Sequence, residues 1–159
     1  MKAVELDMSS LKNYLEQMVQ MQMQLRTKAN GYEFNGMEDL VLKKGIHFTK
    51  EKKFTKEGRA KECFMNAFNK MLNDDNMIYC EGFALSIIPT MHAWCCDKKG
   101  NVFDPTWTDG VDYIGIPFKK QFVIKTVVER EYYGIIDNWQ NKWPLIKQFP
   151  EDIKERIEQ

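Results

Sequence analysis

The period of the hydrophobic residues changes twice along this chain of 159 residues, and this change constrains the fold more than any other feature. Apolar residues recur at helical spacing before residue 74, alternate in a strand-like way between 77 and 118, and return to helical spacing from about 119. Helices on both sides of one block of strands do not give the alternating units of a parallel sheet. The order therefore predicts an α+β fold with one small antiparallel sheet.

The predicted helices differ in what supports them. The first is amphipathic and begins at Ser9 or Ser10, and its methionine-rich face is interpreted as core, with a partner-binding surface as the alternative. The last opens at Pro150. We predict helices over residues 8–27, 37–44, 62–73, 132–147 and 150–158.

Strands are predicted where β-branched and aromatic residues cluster between turn signals. Residues 98–101 form a polar turn between two of them, and residues 46–61 are basic and polar, which indicates a solvated loop. We predict strands over residues 77–88, 91–97, 102–104 and 112–118. We treat residues 1–159 as a single domain with an N-terminal helical region and loop (1–60), a core of helix and sheet (61–118) and C-terminal helices (119–159).

Composition excludes several classes of partner. Formal net charge is zero, so nothing indicates nucleic acid, and no run of about 18 apolar residues indicates a membrane span. The first ten residues lack the pattern of a signal peptide, so we expect a cytoplasmic protein with four reduced cysteines. Cys95 and Cys96 are neighbours on a predicted strand and point to opposite faces, which makes them poor disulfide partners.

Three residues have the types and positions that thiol-dependent acyl transfer requires. Cys63 lies at the start of a predicted helix, where free backbone N–H groups and the helix dipole favour a thiolate and can hold an oxyanion. His92 opens a strand, with Trp94 and Cys96 on its face. Asp104 lies across the turn on the next strand, within reach of His92. The pattern predicts a nucleophile, a base and a group that orients the base.

Five segments around these residues carry a resemblance to a known family. They are residues 61–67 (KECFMNA), 79–84 (YCEGFA), 92–94 (HAW), 97–107 (DKKGNVFDPTW) and 113–118 (YIGIPF). They resemble a family of small phage and bacterial proteins that is placed with the papain-like and transglutaminase-like folds. The resemblance implies a minimal fold of this kind, with Cys63 as nucleophile, His92 as base and Asp104 as orienting group. A phage-encoded chain would act in the host cytoplasm.

We therefore expect a cysteine hydrolase or acyltransferase that acts on an amide or ester of a peptide or small molecule and needs no cofactor. We also expect Cys63 to have a pKa below that of a free thiol. Many papain-like enzymes have a Gln shortly before the Cys, whereas here Lys61 and Glu62 precede it. Asn66 and Tyr79 are the candidates for the missing oxyanion donor.

Other residues allow two interpretations each. Glu81, an acidic residue in an apolar strand, either lines a ligand cleft or pairs with Arg59 or a lysine. Trp94 and Trp107 are either core or an aromatic wall that binds a ligand. With Asn66 and Tyr79, these residues form the predicted substrate-binding set.

Two other functions are kept beside the enzyme. The first is a papain-like scaffold that binds a small molecule or a host protein without turnover, such as a phage counter-defence factor. The second is a zinc site, since Cys80, His92, Cys95 and Cys96 are of zinc-ligand types, although their spacing is poor.

Overall fold

The computed structural model describes residues 8, 10–25 and 31–158, and it has the α+β architecture that the sequence predicts. Two short 3-10 helices, Trp139–Asn141 and Glu151–Ile153, follow the last long helix. The helices are α1 Leu11–Leu25, α2 Met37–Lys44, α3 Cys63–Asn73, α4 Lys120–Arg130 and α5 Pro144–Lys147. The strands are β1 Ile46–His47, β2 Lys52–Phe54, β3 Ile78–Leu85, β4 Pro89–Cys96, β5 Val102–Asp104 and β6 Asp112–Phe118.

The six strands form one curled sheet in the order β1-β6-β3-β4-β5-β2. Its two edge strands, β1 and β2, are consecutive in the chain, with only residues 48–51 between them. Because so short a connection spans only a few residues' length, the two edges must lie close together and the sheet must curl. β2 pairs with β5 in parallel and every other pairing is antiparallel, so the sheet is mixed rather than antiparallel as predicted.

The curl gives the sheet an outer face covered by helices and an inner face filled by its own side chains. Alternate residues of β4 separate to the two faces, as the period of a strand requires. Cys95 lies on the outer face, where its thiol donates to the backbone oxygen of Ala67 in α3 at 3.3 Å. Trp94 and Cys96 lie on the inner face with Phe48 and Tyr113. α3 therefore covers the face of β4 opposite to its even-numbered residues.

The prediction of a solvated loop over residues 46–61 is wrong in part. This segment contains β1 and β2, and Phe48 between them is buried and packs edge-on against Trp94 with ring centroids 5.6 Å apart. The sequence pattern does not reveal that Phe48 is buried, because lysines dominate the segment and a short edge strand has too few residues to show a hydrophobic period.

The prediction of two C-terminal helices over 132–147 and 150–158 is also wrong. The chain turns at Glu131, Lys142 and Trp143, which adopt left-handed backbone conformations with φ between 52° and 58°. Left-handed residues interrupt a right-handed helix, so only α5 and a 3-10 turn form before residue 148. After the second 3-10 helix, Lys154 makes an isolated bridge with Phe118 at the end of β6.

The buried part of α1 is shorter than the methionine-rich face of the predicted helix indicates. Leu11 and Leu15 are fully buried, whereas Met23 and Leu25 are exposed, so the second half of the helix does not belong to the core. Residues 9, 26 and 27 of the predicted helix lie outside the described residues. Within the described ranges, no helix is long and apolar enough to cross a membrane.

Candidate functional site

His92 and Asp104 form a buried hydrogen-bonded pair on the inner face of the sheet. His92 Nε2 lies 2.8 Å from Asp104 Oδ2, and both side chains are at most 1% exposed. The register Cys96–Val102 and Cys95–Phe103 continues to place Asp104 opposite Trp94, so His92 is its diagonal neighbour on the same face. The turn at residues 98–101 thus brings the two side chains together, as the sequence predicts.

Asp104 accepts four hydrogen bonds. Its Oδ1 accepts from the backbone N–H groups of Thr106 and Trp107 at 2.9 and 3.0 Å. Its Oδ2 accepts from His92 and from the Tyr113 hydroxyl at 2.7 Å. Burial opposes ionisation, but the bonds from His92, Trp107 and Tyr113 outweigh it and hold the pKa of Asp104 below its ordinary value. Asp104 is therefore a carboxylate that can only accept.

This ionised state fixes the tautomer of His92. Because a carboxylate has no proton to donate, the hydrogen between the two residues belongs to His92 Nε2. The other ring nitrogen, Nδ1, then carries the lone pair in the neutral ring. Trp107 stacks on the imidazole with ring centroids 3.8 Å apart and planes inclined by 17°, which restricts its rotation. The result is an oriented base.

Cys63 lies at the helix start, as predicted, where it is the first residue of α3, and it is partly exposed. The backbone N–H groups of Ala93 and Phe64 face its sulfur and favour the thiolate. In the described chain, β5 pairs with β4 only at Cys95 and Cys96, so the backbone of Ala93 lies beyond the end of that ladder. Extending the register would place Pro105 opposite Ala93, and proline offers no ladder N–H. The N-terminus of α3 therefore lies against β4 at the point where β5 no longer pairs with β4.

The expectation of a lowered pKa at Cys63 is wrong. Burial, together with the nearby carboxylates of Glu81 and Asp104, raises the pKa of this thiol to about 11, against the opposite effect of the N–H groups of Ala93 and Phe64. A helix start alone does not produce a thiolate when the thiol is buried and two carboxylates lie nearby. Cys63 is thus a neutral thiol at neutral pH.

Among the described residues, no hydrogen bond joins the Cys63 thiol to His92. The helix covers the outer face of the sheet, whereas His92 belongs to the inner face with Trp94. Both groups nevertheless adjoin the same peptide unit, because Cys63 faces the N–H of Ala93, the residue that follows His92. His92 Nδ1, the ring nitrogen nearer the backbone, is the nitrogen of this ring that does not bind Asp104.

The two side chains predicted as oxyanion donors are committed elsewhere. Asn66 Nδ2 donates to the backbone oxygen of Arg59 at 2.8 Å and to Thr106 Oγ1 at 2.9 Å. The hydroxyl of Tyr79 donates to Glu81 Oε1 at 2.6 Å inside the protein. Asn66 thus ties α3 to the loop that follows Asp104, and Tyr79 serves a buried carboxylate.

Within the described ranges, Glu81 pairs with neither Arg59 nor a lysine. Its fully buried carboxylate accepts from Tyr79 and from the backbone N–H groups of Ile135 (2.8 Å) and Ile136 (2.6 Å). Burial raises its pKa, and the bonds from Tyr79 and from those two N–H groups oppose the rise. Glu81 therefore anchors the 134–136 loop rather than lining an open cleft.

The two tryptophans of the predicted binding set have different environments. Trp94 is fully buried among Phe48 and Tyr113, so it is core and not a ligand wall. Trp107 is partly exposed and covers one side of the His92 ring. Trp107 is therefore the aromatic residue of this set that a ligand reaching His92 would touch.

The sulfur atoms of the other cysteines are separated by the sheet. Cys80 donates to Cys96 on the inner face at 3.4 Å, whereas Cys95 points outward to α3. Across the described part of the chain, no group of three His, Cys, Asp or Glu side chains is placed to hold a metal ion.

Two contributors to the site were missed at the level of sequence. The N–H of Ala93 is a backbone group and has no sequence signal, apart from the position of Pro105 that ends the neighbouring strand. Tyr113 reaches Asp104 because β6 joins the sheet beside β3, and a single sequence gives no strand order.

Searches against protein-family models, curated proteins and solved structures find no match to this chain.

Proposed function

We propose that this protein is a thiol-dependent acyl-transfer enzyme, a hydrolase or acyltransferase for an amide or ester, with Cys63, His92 and Asp104 as its reacting set. The observation that carries the proposal is the buried 2.8 Å bond between His92 and Asp104, located one residue from the β4 N–H group that faces the Cys63 sulfur. A helix-start thiol beside an oriented imidazole is the arrangement on which papain-like and transglutaminase-like enzymes rely, and the fold proposed here is a minimal one of that kind.

The chemistry follows from the protonation states. The Cys63 thiol gives its proton to His92 Nδ1 as the sulfur attacks the carbonyl carbon, and the carbonyl electron pair moves to oxygen. When the tetrahedral intermediate collapses, the C–N or C–O bond breaks and the leaving group takes the proton from His92. Water or another acceptor then attacks the thioester and releases Cys63. Asp104 stays ionised throughout and stabilises the imidazolium.

The oxyanion is assigned to backbone donors. The N–H groups at the start of α3 and the N–H of Ala93 are aimed at the region of the sulfur, where the reacting carbonyl must come. Because these donors are fixed by helix and sheet, they need no side chain such as Asn66 or Tyr79.

A second candidate is a scaffold of the same architecture that binds a small molecule or host protein without turnover. Two observations favour it: the pKa of Cys63 is raised to about 11, and no hydrogen bond to His92 is formed by the thiol in the described structure. In that case, Cys63→Ala keeps the biological activity, and substitution of the partly exposed Trp107 removes it.

Trapping the acyl intermediate tests the enzyme. The protein is incubated with p-nitrophenyl acetate, a small activated ester, and the peptides that contain the four cysteines are then sequenced by mass spectrometry to locate the acetyl group. We expect one acetyl group on Cys63 and none on the fully buried Cys80, Cys95 and Cys96. Cys63→Ala is the matched control and should abolish the adduct. Absence of an adduct on Cys63, while the unfolded chain is acetylated, would refute the proposal and favour the binder.

A further inference from the structure

Tyr113 is a buried side chain that the proposed reaction does not use. It lies on β6 opposite Ala84 of β3, and its fully buried ring points to the inner face of the sheet. Its hydroxyl donates to Asp104 Oδ2 at 2.7 Å, the same oxygen that accepts from His92 Nε2 at 2.8 Å. The two donors therefore share one carboxylate oxygen.

The hydroxyl is confined on its far side as well. A Cβ atom added at Gly110 would lie 1.9 Å from the Tyr113 oxygen, so the glycine leaves the space that the hydroxyl occupies. The Tyr113 ring also packs edge-on against Trp94, with centroids 5.0 Å apart. The hydroxyl thus lies between Gly110 and Asp104.

We infer that Tyr113 is a positioning residue that holds Asp104 ionised and thereby keeps His92 in the tautomer with its proton on Nε2. Without the hydroxyl, Oδ2 keeps only His92 as a partner, and a buried carboxylate that loses a donor is more costly to hold ionised. Protonation of Asp104 would then let it donate to His92 Nε2 and transfer the ring proton to Nδ1. A ring protonated on Nδ1 cannot accept the proton of Cys63.

The test uses nitrogen NMR of the histidine rings, which needs no substrate. The chain has two histidines, so a ¹⁵N-histidine sample gives signals of His92 and of the exposed His47 alone. In the native protein we expect the Nε2–H tautomer of His92 with slow exchange of that proton. In Tyr113→Phe we expect exchange to be faster by roughly tenfold or more and the tautomer to become mixed, because a bond to a buried charge is lost.

A second variant and a matched control make the test specific. Gly110→Ala keeps the hydroxyl but forces it away from Asp104, and it should change the His92 signals in the same direction. Tyr79→Phe removes an equally buried hydroxyl from another buried carboxylate, Glu81 on the outer face, and should leave them unchanged.

Native-like His92 signals in Tyr113→Phe and Gly110→Ala would overturn the inference. Equal changes in Tyr79→Phe would also overturn it, since they would indicate a general loss of stability. The positioning role has its catalytic meaning only if the proposed function holds, but the two fail separately. Failure of the acetyl adduct on Cys63 refutes the enzyme, whereas failure of the NMR change refutes the role of Tyr113.

Discussion

At the scale of single residues, the electrostatics of Cys63 decide how the site must work. The thiol lies near two buried carboxylates, Glu81 and Asp104, and within reach of two backbone N–H groups, and the negative charges and burial prevail. A nucleophile that is protonated at rest depends on a neighbouring base at the moment of attack. In the proposed enzyme, Cys63 therefore depends on His92 more than a thiol that is already ionised at rest would.

The raised pKa of Cys63 predicts a particular pH dependence of alkylation. Iodoacetamide reacts with thiolates, so the rate at Cys63 should rise with pH up to about 11, well beyond the range in which an ordinary thiol reaches its plateau. Mass spectrometry of the Cys63 peptide gives the rate, with glutathione as the reference thiol. A plateau below pH 8 would show that the thiol is already ionised and that this description of its surroundings is wrong.

Asp104 should make the fold sensitive to acid. Its pKa is lower in the folded protein than in the unfolded chain, so its contribution to the free energy of unfolding is present above the unfolded value of about 4 and is lost as pH falls through the folded value. Asp104→Asn should be less stable than the native protein at pH 7 and lose less stability between pH 5 and pH 3.

Urea denaturation at several pH values measures this difference. Asp109→Asn is the control, because Asp109 is exposed on the loop that follows β5. An equal loss of stability between pH 5 and pH 3 in the native protein and in Asp104→Asn would contradict the linkage.

At the scale of secondary-structure elements, the segment between α2 and α3 closes the sheet. β1 pairs with β6 at one edge and β2 pairs with β5 at the other, and Phe48 between them fills the inner face. This closure forms the chamber in which His92, Asp104 and Tyr113 are buried. The solvated loop that the sequence predicts over residues 46–61 would not close this chamber.

Truncation of Phe48 tests the closure. Phe48→Ala should lower the free energy of unfolding by about 3–5 kcal/mol, because it removes a buried aromatic ring from a packed core. Phe54→Ala is the matched control, since Phe54 lies six residues later in the same segment and is 38% exposed. Its effect should be about 1 kcal/mol or less. Similar losses for both variants would mean that Phe48 does not anchor the closure.

The elements that the sequence predicts well are those with a strong local signal. The bounds of α2, β5 and β6 agree with the predicted ranges, since turn residues mark their ends. The C-terminal region was predicted poorly because left-handed residues such as Glu131 and Trp143 interrupt the expected helices. Non-glycine residues rarely adopt this conformation, so the sequence carries no signal for it.

At the scale of the whole molecule, the site depends on topology. The pairing of His92 with Asp104 could be predicted, because one short turn joins their strands. The contact of Tyr113 with Asp104 could not be predicted, because it requires β6 to lie beside β3. The Ala93 N–H could not be predicted as a donor to Cys63 either, because this requires the pairing of β5 with β4 to end before Ala93. Local sequence patterns identify the candidate Cys, His and Asp residues. The long-range order of the strands determines which other residues contact them.

In the proposed enzyme, His92 acts as the base for Cys63. The most direct measurement is the rate at which p-nitrophenyl acetate acylates Cys63 in His92→Ala and in His47→Ala, the variant of the other, exposed histidine. We predict a fall on the order of 10²- to 10⁴-fold for His92→Ala, the usual contribution of a positioned base, and no change for His47→Ala. Acylation of Cys63 at the native rate in His92→Ala would contradict the account.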